Sequence, residues 1–296
     1  MQNLRFSGHE SFPLKHFWPL KGTQFLNANH SFSEQTAVVH LGVGKNMVSA
    51  IKFWLRSLGL TDENDNIQEI AKYLFGDKSV DRYIEDIGTI WLLHYYLVKT
   101  NRASIYYLIF NEFSKERIEF TKNNLLGFLK RATLKVNSSY LNLNVNTINT
   151  DISVFLRNYL KPKFKDSKIS IEDDYSGLFF DLELITHYKK ENSENKIQDY
   201  FILNRDFRDK LPAEILLFTI LDNNNHENSI SFNELLTGYN SPGNIFLLNK
   251  EGLFSIIQQL IKKYSFITYS QTAGNQLIQF SKKPDKFEIL NNYYAN

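Results

Sequence analysis

The stretch from Asn249 to Phe280 constrains the fold most. "NKEGLFSIIQQLIKKYS" sets Leu253, Ile256, Ile257, Leu260 and Ile261 on one face at helical spacing, and "FITYSQTAGNQLIQF" then alternates around the tight-turn signature "TAGN". A period that switches from helical to alternating within a few residues calls for a helix packed beside a hairpin. Upstream, Pro212 precedes a helical "AEILLFTILD", an Asn-rich turn follows, and "SISFNELLTG" is a short helix stopped by Gly238. Helix, helix, helix and hairpin, in that order, predict a winged helix-turn-helix.

The same plan is legible twice more, at irregular spacing. In the middle of the chain, "TKNNLLGFLKRATL" and "NVNTINTDISVFLRNYL" predict two helices, the second capped by Asn149 or Thr150. "LFFDLELITHYKKENSENKIQDYFIL" alternates, breaks at a charged tip and alternates again, as a hairpin does. Nearer the start, Ser33 to Leu60 is read as two helices around a glycine turn, "NIQEIAKYLFGD" as a short strand or helix, and "TIWLLHYYLVKT" as a buried helix whose His94 is a satisfied core residue. The expected architecture is mainly α with small β-hairpins, an α+β chain of multiple winged helix-turn-helix-like units: 1–115, 116–208 and 209–296.

Composition narrows the function classes. The 296 residues carry a net charge of only +2, so any basic surface is a local concentration. With no cysteine, disulfides, thiolate zinc sites and a cysteine nucleophile are excluded. The start of the chain lacks the apolar stretch of a signal peptide and no apolar run has the length to cross a bilayer, so a cytoplasmic protein without membrane contact is expected.

"LGVGKNMVSAIKFWLRSLGL" poses the choice between a phosphate loop and a DNA-gripping turn and helix. A Walker A loop needs a glycine where Val39 stands and a Ser or Thr where Asn46 stands, and a dinucleotide fingerprint needs a third glycine. What remains is a helix start, at Gly44, Lys45 and Asn46, whose free amides suit a backbone phosphate. In the helix that follows, Met47, Ile51, Trp54, Leu55 and Leu58 face a core, whereas Lys45, Ser49, Lys52 and Arg56 share the opposite stripe. Three cations and no acid on one face match a recognition helix, against the alternative of an ordinary solvated face. The lysine-rich "KPKFKDSK" and "FSKKPDKF" are further candidates for phosphate contact.

"FSGHESFPLKHFW" contains the other dense group. His9 and Glu10, with Glu85 and Asp86 from "DRYIEDIGTIW", are candidate acid/base or metal-binding residues; the alternative is a histidine and a carboxylate that tie the N-terminal segment down by hydrogen bonds. "DLELITHYKK" lacks the Glu-x-Lys element of many nucleases, and HExxH and GxSxG motifs are absent.

Together, "FSGHESFPLKHFW", "LGVGKNMVSAIKFWLRSLGL", "YIEDIGTIWLLHYYL" and "FNEF", in this order, resemble the bacterial domain-of-unknown-function family numbered four thousand and seven. The resemblance spans about residues 4 to 290 and is strongest over the first 115. Its shared residues fall on Gly8, His9, Glu10, Gly42, Gly44, Lys45, Asn46, Arg56, Glu85 and Asp86, and Lys15 stands where many relatives are expected to carry arginine. It implies a protein of bacterial defence islands, beside DNA phosphorothioation of the Ssp type, and a role in nicking DNA. The expected function is a DNA-binding component of such a system, with Lys15, Gly44, Lys45, Asn46, Ser49, Lys52 and Arg56 on double-stranded DNA and other subunits as partners. One alternative is a nickase using His9, Glu10, Glu85 and Asp86, for which magnesium or manganese would be required; no other cofactor is evident. Another is an assembly subunit that never touches DNA. No sustained heptad pattern indicates an oligomeric state.

Overall fold

The computed structural model describes residues 4–136, 144–161, 177–192, 194–223, 228–272 and 274–295. The chain divides into two compact units, Met1–Leu203 and Asn204–Asn296. The expected α+β character holds: helices dominate, with two small antiparallel sheets. Among the described residues no helix is long and apolar enough to cross a membrane.

In the first unit, α1 (Trp18–Asn27) packs against α3 (Lys45–Ser57), and α2 (Ala37–Leu41) joins them through the glycine turn. Gly42 closes α2 at φ 59°, a left-handed conformation that costs glycine nothing, and Gly44 enters α3 with extended backbone. Of the expected core face of α3, Ile51, Trp54, Leu55 and the capping Leu58 are buried, Met47 is half-buried, and Val48 and Ala50 are buried beside them. The ambiguous segment after it is a helix, α4 (Glu69–Phe75). α5 (Ile87–Lys99) starts at Asp86, whose carboxylate accepts the Gly88 amide at 2.7 Å.

α6 (Ser104–Leu108) runs through a π-helical turn, Ile109–Phe113, into α7 (Ser114–Glu116). After β1 (Glu119–Phe120) come α8 (Lys122–Val136), α9 (Val145–Tyr159), β2 (Ile185–Glu191) and β3 (Ile197–Leu203), with the sheet ordered β1-β3-β2. The cap of α9 differs from expectation. Asn144 accepts the Asn146 amide at 2.9 Å, whereas Thr150 lies a turn and a half inside and donates to the Asn146 carbonyl. A side chain capping from 144 lets the whole of "VNTINT" join the helix.

His94 behaves as a core residue. It is fully buried, Nδ1 lies 2.9 Å from the Tyr159 hydroxyl, and the rings of Phe110 and Phe179 meet it edge-on. Burial raises the Tyr159 phenol well above its ordinary pKa, so it stays protonated.

The second unit orders α10 (Ala213–Asn223), β4 (Ser229–Ser231), α11 (Phe232–Thr237), α12 (Pro242–Ile245), α13 (Lys250–Lys263), β5 (Ile267–Thr272), β6 (Asn275–Phe280) and α14 (Lys286–Tyr294). The sheet order is β4-β6-β5. β4, α12 and α14 are additions to the sequence-based plan: "SIS" splits off as a strand because Ser231 caps α11. Within the basic "FSKKPDKF", half-buried Lys286 pairs with Asp222 at 2.7 Å, and exposed Lys282 lies over the Phe266 ring. Of "KPKFKDSK", all but Lys161 lies outside the described residues.

Replacing His94 by leucine strands the buried Tyr159 hydroxyl and should cost about 1–3 kcal/mol of stability. A lower urea midpoint at unchanged slope is the expected result.

Candidate functional site

The N-terminal loop is held by α9. The buried carboxylate of Asp151 accepts the Ser7 amide at 3.0 and 3.1 Å and lies 2.8 Å from Nε2 of His9. Nδ1 of His9 accepts the Ser11 amide at 3.1 Å, which puts the ring proton on Nε2, aimed at the carboxylate. Further along the same helix, Asn158 Oδ1 accepts the Leu14 amide at 2.9 Å and Arg157 donates to the Ser11 carbonyl at 2.5 Å. Burial lowers the pKa of the Arg157 guanidinium and raises that of the Tyr106 phenol, which accepts from Asn158. His9 also stacks on Trp54 of α3, so the loop, α3 and α9 form one assembly. Gly8, at φ 102°, fits because a Cβ there would lie 2.6 Å from the Phe53 ring.

Against this loop lies a groove of about 670 Å³ lined by Arg5, Ser7, Ser49, Lys52, Arg56 and Arg102, among others. Four cations face it and Glu63 is the lining carboxylate, bonded to Arg5 at 2.8 Å and also to Arg102. The stripe on α3 is thus one wall of a larger basic surface. It is also partly neutralised. Asp65 pairs with Lys52 at 3.0 Å and with Arg56 at 2.7 Å, and Arg56 donates to the Glu63 carbonyl. The expectation of a free ridge three cations deep is corrected on this point: Lys45, Asn46 and Ser49 are exposed, while Lys52 and Arg56 lie folded onto the following loop. Lys15 is half-buried, with its ammonium 5.9 Å from the Trp18 ring centre.

The four candidate acid/base residues are dispersed in role. His9 has both ring nitrogens engaged, Glu10 is exposed on left-handed backbone at φ 48°, and Asp86 caps α5. The backbone amides of Glu85 and Asp86 donate to the Asp81 carboxylate. His9, Glu10, Glu85 and Asp86 do not bring three ligand atoms within 4.8 Å of one another; among the described residues that grouping occurs at His30, Glu34 and His40. The partner that ties down His9 is Asp151, 142 residues away, and not its neighbour Glu10.

Sequence reasoning missed Asp151, Asn158, Arg5 and Arg102. A signal existed for the first two. Asp151 and Asn158 fall on the same helical stripe as Ile148, Ile152 and Phe155, and a polar residue on a buried stripe needs a partner. The two arginines are isolated in the sequence and offered none.

The class defined by this geometry is a helical α+β protein with an arginine-lined groove beside a loop locked by a buried histidine and aspartate. Residues 6–294 match DUF4007, a family described as proteins of unknown function, and the chain belongs to it. Its fold is similar to that of two solved structures. One, described as magnesium ion-bound SspB, has a TM-score of 0.82 at 22% identity over 99% of this chain and 89% of that one. The other, SspB, has a TM-score of 0.80 at 24% identity over the same shares. No curated protein matches the chain.

Substituting Asp151 with alanine removes the acceptor of the Ser7 amide and of His9, and should destabilise the chain by about 3 kcal/mol. Asparagine, which keeps one acceptor oxygen, should cost less. Chemical denaturation of the two variants tests that order.

Proposed function

We infer that this protein is a DNA-binding component of a bacterial DNA phosphorothioation or defence system. The observation that carries the reading is the groove in which Arg5, Lys52, Arg56 and Arg102 converge beside the exposed Lys45 and Ser49 of α3. Guanidinium groups grip phosphate oxygens in pairs, and the free amides at the start of α3 add donors for the same ligand. Two further features support it. The order of the second unit, a helix, a strand, three helices and a hairpin, with its β4-β6-β5 sheet, is in keeping with a winged helix. In the first unit, β1, α8, α9 and the β2-β3 hairpin follow a comparable path. Family membership and the likeness of fold to SspB agree with the proposed setting.

A second reading, a DNA nickase, is favoured by the magnesium ion in the description of one SspB structure. The small cavity beside the locked loop is lined by Ser7, His9, Glu10, Asn146, Thr147 and Asp151. Magnesium prefers oxygen ligands in near-octahedral array. Here Asp151 is already engaged by Ser7 and His9, which leaves exposed Glu10 as the carboxylate at that cavity. That donor set is a poor fit for a resident magnesium, and no step is assigned to one. Conversion of supercoiled plasmid to open circles in magnesium or manganese, abolished in Glu10→Gln, would establish this second reading.

For the first, labelled duplex is titrated at several salt concentrations. Changing Arg5, Lys45 and Lys52 together to alanine should weaken binding and reduce the log–log salt slope by about 0.9 for each phosphate charge left unneutralised. Asp65→Asn should tighten binding several-fold, because it releases Lys52 and Arg56; asparagine also tolerates the left-handed backbone at φ 66°. Affinity indifferent to both changes would overturn the reading.

A further inference from the structure

His30, Glu34 and His40 form a cluster that neither the groove nor the locked loop uses. The connection from α1 to α2 builds it. Asn29 turns the chain at φ 61°, the Ser31 and Ser33 hydroxyls bond at 2.8 Å, and the Glu34 amide returns to the Ser31 carbonyl at 3.1 Å. This folding carries Glu34 to His30, whose Nδ1 lies 3.0 Å from Oε1. His40, on α2, lays its ring over that of His30, with centroids 3.9 Å apart and planes 26° from parallel. One ligand atom of each residue lies within 4.8 Å of the other two.

We propose that these three side chains bind a divalent transition-metal ion of the zinc class. Glu34 Oε1 is shut off from solvent, yet it makes no well-aligned hydrogen bond despite its short distance to His30. A buried carboxylate oxygen without a donor is unfavourable, and a cation held between it and the two imidazoles would satisfy it. Bonds of ~2.0–2.2 Å from one zinc ion to nitrogen and oxygen put ligand atoms a little over ~3 Å apart, so the two stacked rings would turn out of their near-parallel arrangement until both nitrogens aim at one point. Two imidazoles and one carboxylate select zinc, cobalt or nickel over magnesium, which favours an all-oxygen shell. His40 is exposed, so a fourth position would open to water. Once bound, the ion would pin the α1–α2 connection and with it the glycine turn that introduces α3. This inference does not depend on the DNA reading.

The test uses the full chain, stripped with chelator and titrated with cobalt(II) chloride. One equivalent should develop the visible bands of low-coordinate cobalt, and added zinc chloride should abolish them. His30→Ala and His40→Ala should each weaken cobalt binding at least ~10-fold, since even outer-shell changes at metal sites cost that much. His187→Ala, whose ring pairs with Asp199 on the β2-β3 hairpin, should leave binding unchanged. Far-ultraviolet circular dichroism checks that each variant folds, and the midpoint of thermal unfolding should rise in zinc for the unaltered chain and not for the His40 variant. Absence of cobalt bands, binding by folded His40→Ala equal to that of the unaltered chain, or displacement of cobalt by millimolar magnesium would each overturn the proposal.

Discussion

Asp151 is the point on which the first unit's geometry turns. Its carboxylate is nearly out of water, and an ion in that position persists only if its oxygens are saturated by donors. The Ser7 amide and His9 provide them. Because those donors come from the start of the chain, the charge cannot be satisfied unless residues 7–9 lie across α9. His9 then reaches Trp54, which fixes α3 relative to the same loop. The groove inherits its shape from this closure, since Ser7, Gly8 and Thr147 line it along with the outer face of α3.

Charge along that groove is arranged as a competition. Asp65 and Glu63 come from the loop that follows α3; Asp65 holds Lys52 and Arg56, and Glu63 holds Arg5 and Arg102. Half-exposed ion pairs of this kind contribute little stability by themselves, about 0–1 kcal/mol each. They also order long flexible side chains, so less entropy would be lost if a ligand took the place of the carboxylates. On the DNA-binding reading proposed above, a phosphate would displace a carboxylate, and affinity would reflect the difference between two sets of interactions.

How much of this was legible from residue order depends on the distance over which each interaction acts. The α3 stripe, its tryptophan anchor, the glycine turn and the buried role of His94 are local patterns, and the structure keeps them. The hairpins at 185–203 and 267–280 follow from alternation and turn chemistry. The partner of His9 was not legible, because no local rule links residues 9 and 151. The neutralisation of Lys52 and Arg56 was missed for a related reason: Asp65 meets them only after the chain doubles back through a turn. The three-residue strand β4 is too short to show a period.

The β2-β3 hairpin carries one more implication. β2 occupies the outermost position in its sheet, and its far half is Lys189, Lys190 and Glu191. An uncovered strand edge invites pairing with a neighbouring molecule, and clustered charge with desolvation-resistant lysines is the usual deterrent. The run of charge at that tip thereby discourages edge-to-edge pairing along β2, whose first residue, Ile185, is turned into the core.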